Sequence, residues 1–348
     1  MRSASKASVM AMSPYSGFLP HGGDLSTARQ QFPQAPEPFI DLSTGINPNP
    51  YPLPELPSGL FAQLPQRSAL DRLIAAAARF YKASSADHVV AAPGTQILLT
   101  ATTALLPRGR AAVLGPTYSE HVRVAALAGH DTKQVSELDD LAGADLAIVV
   151  NPNNPDGRIV PPAALLAIAA KLRSHGGLLM VDEAFVEVAP AGTSLAGEVD
   201  RGNIVVLRSF GKFFGLAGLR LGFALAAPAI TTRIAAWLGP WAVSGPAVAV
   251  GEAALADAAW AQSTRERLCR DAQRLDELLS QSGLEVIGGT PLFRLSRCPA
   301  AKELFEHLGR AGILVRRFPE NPTWLRFGLP ADKASWKRLR TAVQAFVV

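Results

Sequence analysis

Ser209-Phe210-Gly211-Lys212-Phe213-Phe214-Gly215-Leu216-Ala217-Gly218-Leu219-Arg220 decides the reading of this chain of 348 residues. The apolar run Ile204-Val205-Val206-Leu207 precedes it and reads as a buried strand. Lys212 then stands among glycines and phenylalanines, with almost no neighbouring charge. Desolvation disfavours the ammonium form, so such a lysine suits nucleophilic attack on an aldehyde to give a Schiff base. Ser209 and Arg220 flank it with a hydroxyl and a guanidinium, groups that can hold a phosphate carried by the same aldehyde. A Gly-Lys pair alone reads as a surface loop after a strand. The full pattern Ser-x-x-Lys-x7-Arg outweighs that reading.

Working outward, apolar runs alternate with helical patterns. Val89–Ala92, Ala111–Leu114, Leu146–Val150, Leu178–Val181, Ile204–Leu207 and Leu221–Leu225 read as strands. Ile97–Leu106, the stretch up to about Ala128, and Pro161–Ser174 read as helices between them. Such runs indicate a mostly parallel sheet covered on both faces, an α/β fold. Before it, Ser68–Tyr81 reads as a helix that Ser68 could cap, with Leu70, Leu73, Ile74 and Ala77 on one face. After Pro246 the character changes. A long helical stretch, open to an interruption, runs to about Ser280; Ile287–Leu295 and Ile313–Val315 read as strands, and Ala301–Ala311 and Asp332–Phe346 as helices. This predicts a smaller α+β unit. Met1 to about Gly17 reads as a flexible start.

In a parallel sheet, ligands bind outside the carboxyl ends of the strands. Gly94-Thr95-Gln96 opens a helix there, so its backbone N–H groups and the Thr95 hydroxyl can hold a phosphate. Tyr118, after a strand and a Gly-Pro turn, can stack on a flat ring. Asp182 ends a buried strand, and a buried carboxylate needs a partner. A protonated pyridine nitrogen is such a partner, and the pair keeps the ring an electron sink. An ordinary cap, a core tyrosine and a capping Asp would each explain one of these residues singly.

Taken in order, Gly94-Thr95, Tyr118, Asn154, Asp182, Ser209, Lys212 and Arg220 resemble the signature of the class I/II aminotransferase family of fold-type I enzymes. The resemblance extends from about His21 to the final helix. It implies pyridoxal 5'-phosphate (PLP) as cofactor and Lys212 as the catalytic lysine. It implies that Asn154, in Asn151-Pro152-Asn153-Asn154-Pro155-Asp156-Gly157, bonds the ring hydroxyl and borders the substrate. Tyr51 would reach the cofactor phosphate of another subunit, making a homodimer with shared sites. Arg326, in Trp324-Leu325-Arg326-Phe327-Gly328, would clamp a substrate α-carboxylate, and Arg316 a second anionic group. The implied organisation is an N-terminal segment 1–45 packed with the small domain, a large PLP-binding domain 46–243 and a small domain 244–348.

Two branches of the family are the nearest resemblances, the histidinol-phosphate aminotransferases and the threonine-phosphate decarboxylases of cobalamin biosynthesis. His21-Gly22-Gly23-Asp24 and Asp41-Leu42-Ser43-Thr44-Gly45-Ile46-Asn47-Pro48 resemble the second branch. Phe185 stands where the first usually carries Tyr, which leaves Asn154 alone with the ring hydroxyl. His21 is then a candidate for the substrate phosphate. The expected reaction is decarboxylation of L-threonine O-3-phosphate, with transamination as the alternative. Gly211 departs from the Thr or Ser often found before the lysine, which removes one hydroxyl near it.

The bulk numbers fit. A hydrophobic content of 48% supports a substantial core, and a charge of +5 without basic runs suits a small anionic substrate better than nucleic acid. Cys269 and Cys298 lack metal-like spacing, and no metal site is expected. Neither a convincing signal peptide nor a membrane span is read, so the expected compartment is the cytoplasm.

Overall fold

The computed structural model describes residues 21–346. Met1–Gly17, expected to be flexible, lies outside them.

Helix α1 (Leu25–Gln31) and strand β1 (Ile40–Asp41) lead to α2 (Gly59–Ala62) and α3 (Arg67–Tyr81). The α3 stripe buries Leu73 and Ala77, with Leu70 and Ile74 partly buried. Its N-cap is Gln66; Ser68 lies inside the helix and does not cap it.

There follow β2 (Val89–Ala92), α4 (Thr95–Thr103), β3 (Arg110–Leu114), α5 (Glu120–Leu127), β4 (Asp131–Val135) and β5 (Leu146–Val150). Then come α6 (Pro162–Arg173), β6 (Leu178–Asp182), β7 (Ile204–Ser209), β8 (Gly222–Ala226) and α7 (Pro228–Leu238). The strands form a sheet of seven in the order β2-β8-β7-β6-β5-β3-β4. Both pairings of β8 are antiparallel and the other four are parallel. Because side chains alternate along a strand, Val181, Val206 and Phe223 fill the core on one face and Met180, Val205 and Ala224 the core on the other. That two-sided burial is why the central strands read as continuous apolar runs. Strand β4 gave no such signal. It is an edge strand with a polar, largely solvated sequence. Helix α7 was equally silent, since only Thr231 and Ile234 are fully buried on it.

The second unit comprises α8 (Gly245–Ala256), α9 (Ala258–Gln281), β9 (Glu285–Thr290), β10 (Phe293–Arg297), α10 (Ala301–Arg310), β11 (Ile313–Leu314), β12 (Arg316–Arg317), β13 (Trp324–Gly328) and α11 (Lys333–Gln344). The long helical run is broken at Asp257, which ends α8 and caps α9 by accepting from the Trp260 amide at 2.9 Å. The single strand expected over Ile287–Leu295 is a hairpin of β9 and β10. Arg316 and Arg317 do not end the preceding strand; they form β12, in an antiparallel sheet ordered β12-β13-β10-β9. Strand β11 instead pairs in parallel with β1, Ile40 opposite Ile313. Phe32 packs on Phe305 of α10 beside it, ring centroids 6.0 Å apart.

Candidate active site

The carboxyl ends of β2, β5, β6 and β7 open onto a cavity of about 640 Å³, with Gly94, Val150, Asp182 and Ser209 in its wall. Lys212 lies in the same wall, on the loop after β7. The loop is fixed from below, for Phe210, Phe213 and Phe214 are fully buried and Phe210 stacks on Phe214 at 4.2 Å. The Asn47 amide donates to the Lys212 carbonyl at 3.0 Å. Burial pulls the Lys212 amine down to about 8; Arg326 and Arg220 add to this, while Asp182 and Asp41 oppose it. The residue as a whole is half-buried and lines the cavity, so its side chain is both crowded and within reach of a ligand there. A side chain at Gly211 would put its Cβ 2.9 Å from the Ala217 backbone. The hydroxyl missing from the motif therefore has no room in this loop.

Gly94, at φ +89, starts α4 in a conformation that side chains rarely adopt, and a Cβ there would sit 2.8 Å from the Arg220 guanidinium. Helix α4 has no side-chain cap, which leaves its first N–H groups for an anion beside that guanidinium. Arg220 itself is held at φ +53. Gln96 also lines the cavity, and one of its two side-chain N–H groups is donated to Glu120 at 2.7 Å.

Asp182 is buried. Its Oδ1 accepts from the Ala184 amide at 3.1 Å and its Oδ2 lies 3.0 Å from His121 Nε2. Tyr118 is in the cavity wall, edge-on to His121 at 5.8 Å, and burial pushes its phenol up to about 12. Arg326 is buried and donates to the Asn154 Oδ1 and to the Ser43 carbonyl. That leaves the Asn154 Nδ2 as the donor for a ring oxygen. Burial and the adjacent Arg316 pull the Arg326 guanidinium down to about 9, still cationic at neutral pH. Arg316 is directly opposite it on β12. His21 also lines the cavity, 5.5 Å from the Tyr118 ring. It is carried there by Gly22, where a Cβ would strike the Ser43 carbonyl at 2.4 Å, and by the Gly23 amide, which donates to Ser43 Oγ at 2.8 Å. The two N-terminal motifs are thus docked on one another.

Tyr51 is not in this cavity wall. It packs edge-on against Trp260 at 5.1 Å, its hydroxyl 3.5 Å from Asp257. Sequence reasoning missed His121 and Glu120. Their signal was available: on a helix beginning near Tyr118, His121 falls one turn further on the same face.

Residues 38–345 match the family model described as aminotransferase class I and II. The chain belongs to this family. Among curated relatives, a threonine-phosphate decarboxylase from Sinorhizobium sp is 46% identical over 93% of this chain and 97% of its own length. One from Pseudomonas aeruginosa is 43% identical over 94% and 98%. The fold is that of a solved histidinol-phosphate aminotransferase from Sinorhizobium meliloti in complex with pyridoxal-5'-phosphate, with TM-score 0.79, 22% identity and 98% coverage of both chains.

This aminotransferase-family chain is PLP-dependent, and its residues fit that cofactor. The side-chain-free cradle of Gly94 against Arg220, the uncapped α4 terminus and Ser209 suit the phosphate. Asp182 suits the ring nitrogen, Asn154 the ring hydroxyl, Tyr118 the ring face and Lys212 the aldehyde. Among the described residues the buried Nδ1 of His121 has no partner, so the imidazole hydrogen-bonds Asp182 alone. Among the described residues no cluster of metal-ligating side chains occurs, and no helix is long and apolar enough to cross a membrane.

Proposed function

We propose that this chain is a PLP-dependent carboxy-lyase that converts L-threonine O-3-phosphate to (R)-1-amino-2-propanol phosphate, for the cobalamin aminopropanol linker. The names of its two close relatives support this reading. One observation carries it: Arg316 and Arg326 face each other across adjacent strands in the cavity wall. Neither forms an ion pair with a carboxylate among the described residues. Cross-strand neighbours have Cβ atoms roughly 4.5–5.5 Å apart. Threonine phosphate carries its carboxylate and phosphate on neighbouring carbons, so two adjacent cations match it. Histidinol phosphate has no carboxylate, and its co-substrate 2-oxoglutarate has no phosphate and carries its two carboxylates at the far ends of a longer chain.

Bound PLP supplies the electron sink for the pair left on the α-carbon as CO2 departs. The chain does the rest. Thr95, Ser209, Arg220 and the α4 N–H groups fix the phosphate end. Asp182, oriented by His121, keeps a proton at the ring nitrogen. Arg326 takes the substrate carboxylate, Arg316 and His21 its phosphate. Lys212 Nζ, drawn down to about 8, can give up its proton near neutral pH and return one to the α-carbon.

Further parts of the reading are the domain division 1–45, 46–243 and 244–348, a cytoplasmic location, and a homodimer in which Tyr51 serves the neighbouring subunit. Leu53, Phe61 and Leu64, beyond Tyr51 in sequence, are more than half exposed, an apolar surface suited to cover by a second copy. To test the reaction, PLP-loaded protein is given threonine phosphate alone, and separately histidinol phosphate with 2-oxoglutarate. CO2 from the first without a keto acid is expected. Glutamate from the second, with no CO2 from the first, would move the assignment to the aminotransferase.

A further inference from the structure

Glu120 is a buried acid beside the cavity whose surroundings the cofactor and substrate do not explain. The residue is 3% exposed, at the first turn of α5. A first-turn acid is favoured by the helix dipole, and Arg123, one turn on, binds it at 2.6 Å. That accounts for Glu120 as part of α5. It does not account for its two remaining partners, which come from elsewhere. Gln96 Nε2, at the start of α4, donates to Oε2 at 2.7 Å, and His21 Nε2, before α1, lies 3.4 Å from Oε1. Both partners line the cavity, whereas Glu120 itself stands behind its wall. The pairing with Arg123 and His21 holds the Glu120 carboxyl below its usual range against the opposing effect of burial.

We infer that Glu120 is a specificity-determining positioning residue: one buried carboxylate ties the His21 turn over the substrate-phosphate end of the cavity and fixes Gln96 at its cofactor-phosphate end. The inference rests on the decarboxylase reading, through the role it gives His21. Gly22 and Gly23 let the turn lie flat on Ser43, but they set only its backbone. Of these contacts only Glu120 fixes the imidazole. With the carboxylate holding the Nε2 proton, Nδ1 is left facing the phosphate and donates to it in the doubly protonated imidazolium form. Glu120 touches neither substrate nor cofactor, so whatever its loss does to phosphate binding by the substrate should act through His21.

The test is a double-mutant cycle on PLP-loaded protein with Glu120→Gln, His21→Ala and the pair. It is read by KM and kcat for CO2 release from threonine phosphate, and by equilibrium binding of threonine phosphate and of plain threonine, followed in the cofactor absorbance. Glu120→Gln is expected to raise KM for threonine phosphate about tenfold, the loss of one charge-assisted contact, with the change falling on KM. Binding of plain threonine should move far less, and the double variant should be no worse than the worse single one. Additive losses, or equal losses for phosphorylated and plain threonine, would overturn the assignment. Should Glu120→Gln fold poorly by thermal melt, Glu120→Asp takes its place; its shorter reach should open the His21 contact and give the same non-additivity. If the wild type releases no CO2, the decarboxylase reading fails separately, and the binding cycle still decides the role of Glu120.

Discussion

Arg316 and Arg326 lie directly across from one another on β12 and β13, and among the described residues neither is ion-paired with a carboxylate. Like charges so placed repel and become favourable only when an anion lies between them. Arg316→Ala should therefore raise KM for threonine phosphate by roughly tenfold to a hundredfold, the loss of a charge-assisted contact of roughly 1.5–3 kcal/mol. Binding of plain threonine should change little. Arg326→Ala should weaken both ligands. Equal losses for both ligands on changing Arg316 would remove it from the phosphate position.

Lys212→Ala should abolish turnover while leaving the fold intact, measured by CO2 release and thermal melting. In the wild type, covalent capture of PLP requires the neutral amine. With the amine near 8 instead of 10.5, the neutral form gains as pH rises and is nearly complete a unit above 8. The capture rate, followed by absorbance after stopped-flow mixing, should rise through this range and level off above it. A rate still climbing steeply towards pH 10 would refute the buried-lysine assignment.

His121 meets Asp182 at 3.0 Å and has no second partner among the described residues. His121→Ala should leave the Asp182 carboxylate held only by the Ala184 amide. Turnover is expected to fall on the order of tenfold with little change in KM, since the residue orients a group that acts after substrate has bound. A KM effect of the same size with unchanged kcat would place His121 in substrate binding.

Gly94→Ala should lower PLP affinity and stability together. The new methyl must enter a left-handed conformation 2.8 Å from Arg220, and strain of this kind costs of order 1–3 kcal/mol. Cofactor titration and a melt of the cofactor-free protein separate the two effects. An unchanged PLP affinity would show that the cradle lies elsewhere.

Shared sites can be tested by mixing Tyr51→Phe subunits with Lys212→Ala subunits. Each hybrid dimer then has one site with both residues intact and one with neither. Recovery of activity after subunit exchange is expected, and exchange without recovery would place Tyr51 outside the partner's site.

The residues of the sheet ends were legible because their chemistry is local. A lysine among phenylalanines, a carboxylate at a buried strand end and a glycine before a helix each carry their reason in the neighbouring sequence. The strand order, the reversed β8 and the edge strand β4 were not, since they depend on pairings that no local pattern encodes. The same limit hid the work of Ser43 and Glu120. Their partners are Arg326 in one case, Gln96 and His21 in the other, all from distant parts of the chain. The glycine before Lys212 read as a lost hydroxyl; only the Ala217 backbone, brought over it by the turn, shows that the position must be bare.

The pairing of Ile40 with Ile313 also sets an order of assembly during synthesis. Every strand of the large sheet lies between residues 89 and 226, so the ledge for the cofactor can form while the ribosome still holds the last third of the chain. The first strand must wait unpaired until its mate emerges, and Ser43 waits with it for Arg326. A nascent chain stalled after α9 should thus resist protease across its sheet and be cut near residue 40, whereas the released protein should resist at both places. Equal resistance near residue 40 in the stalled chain would show that this segment finds another shelter first.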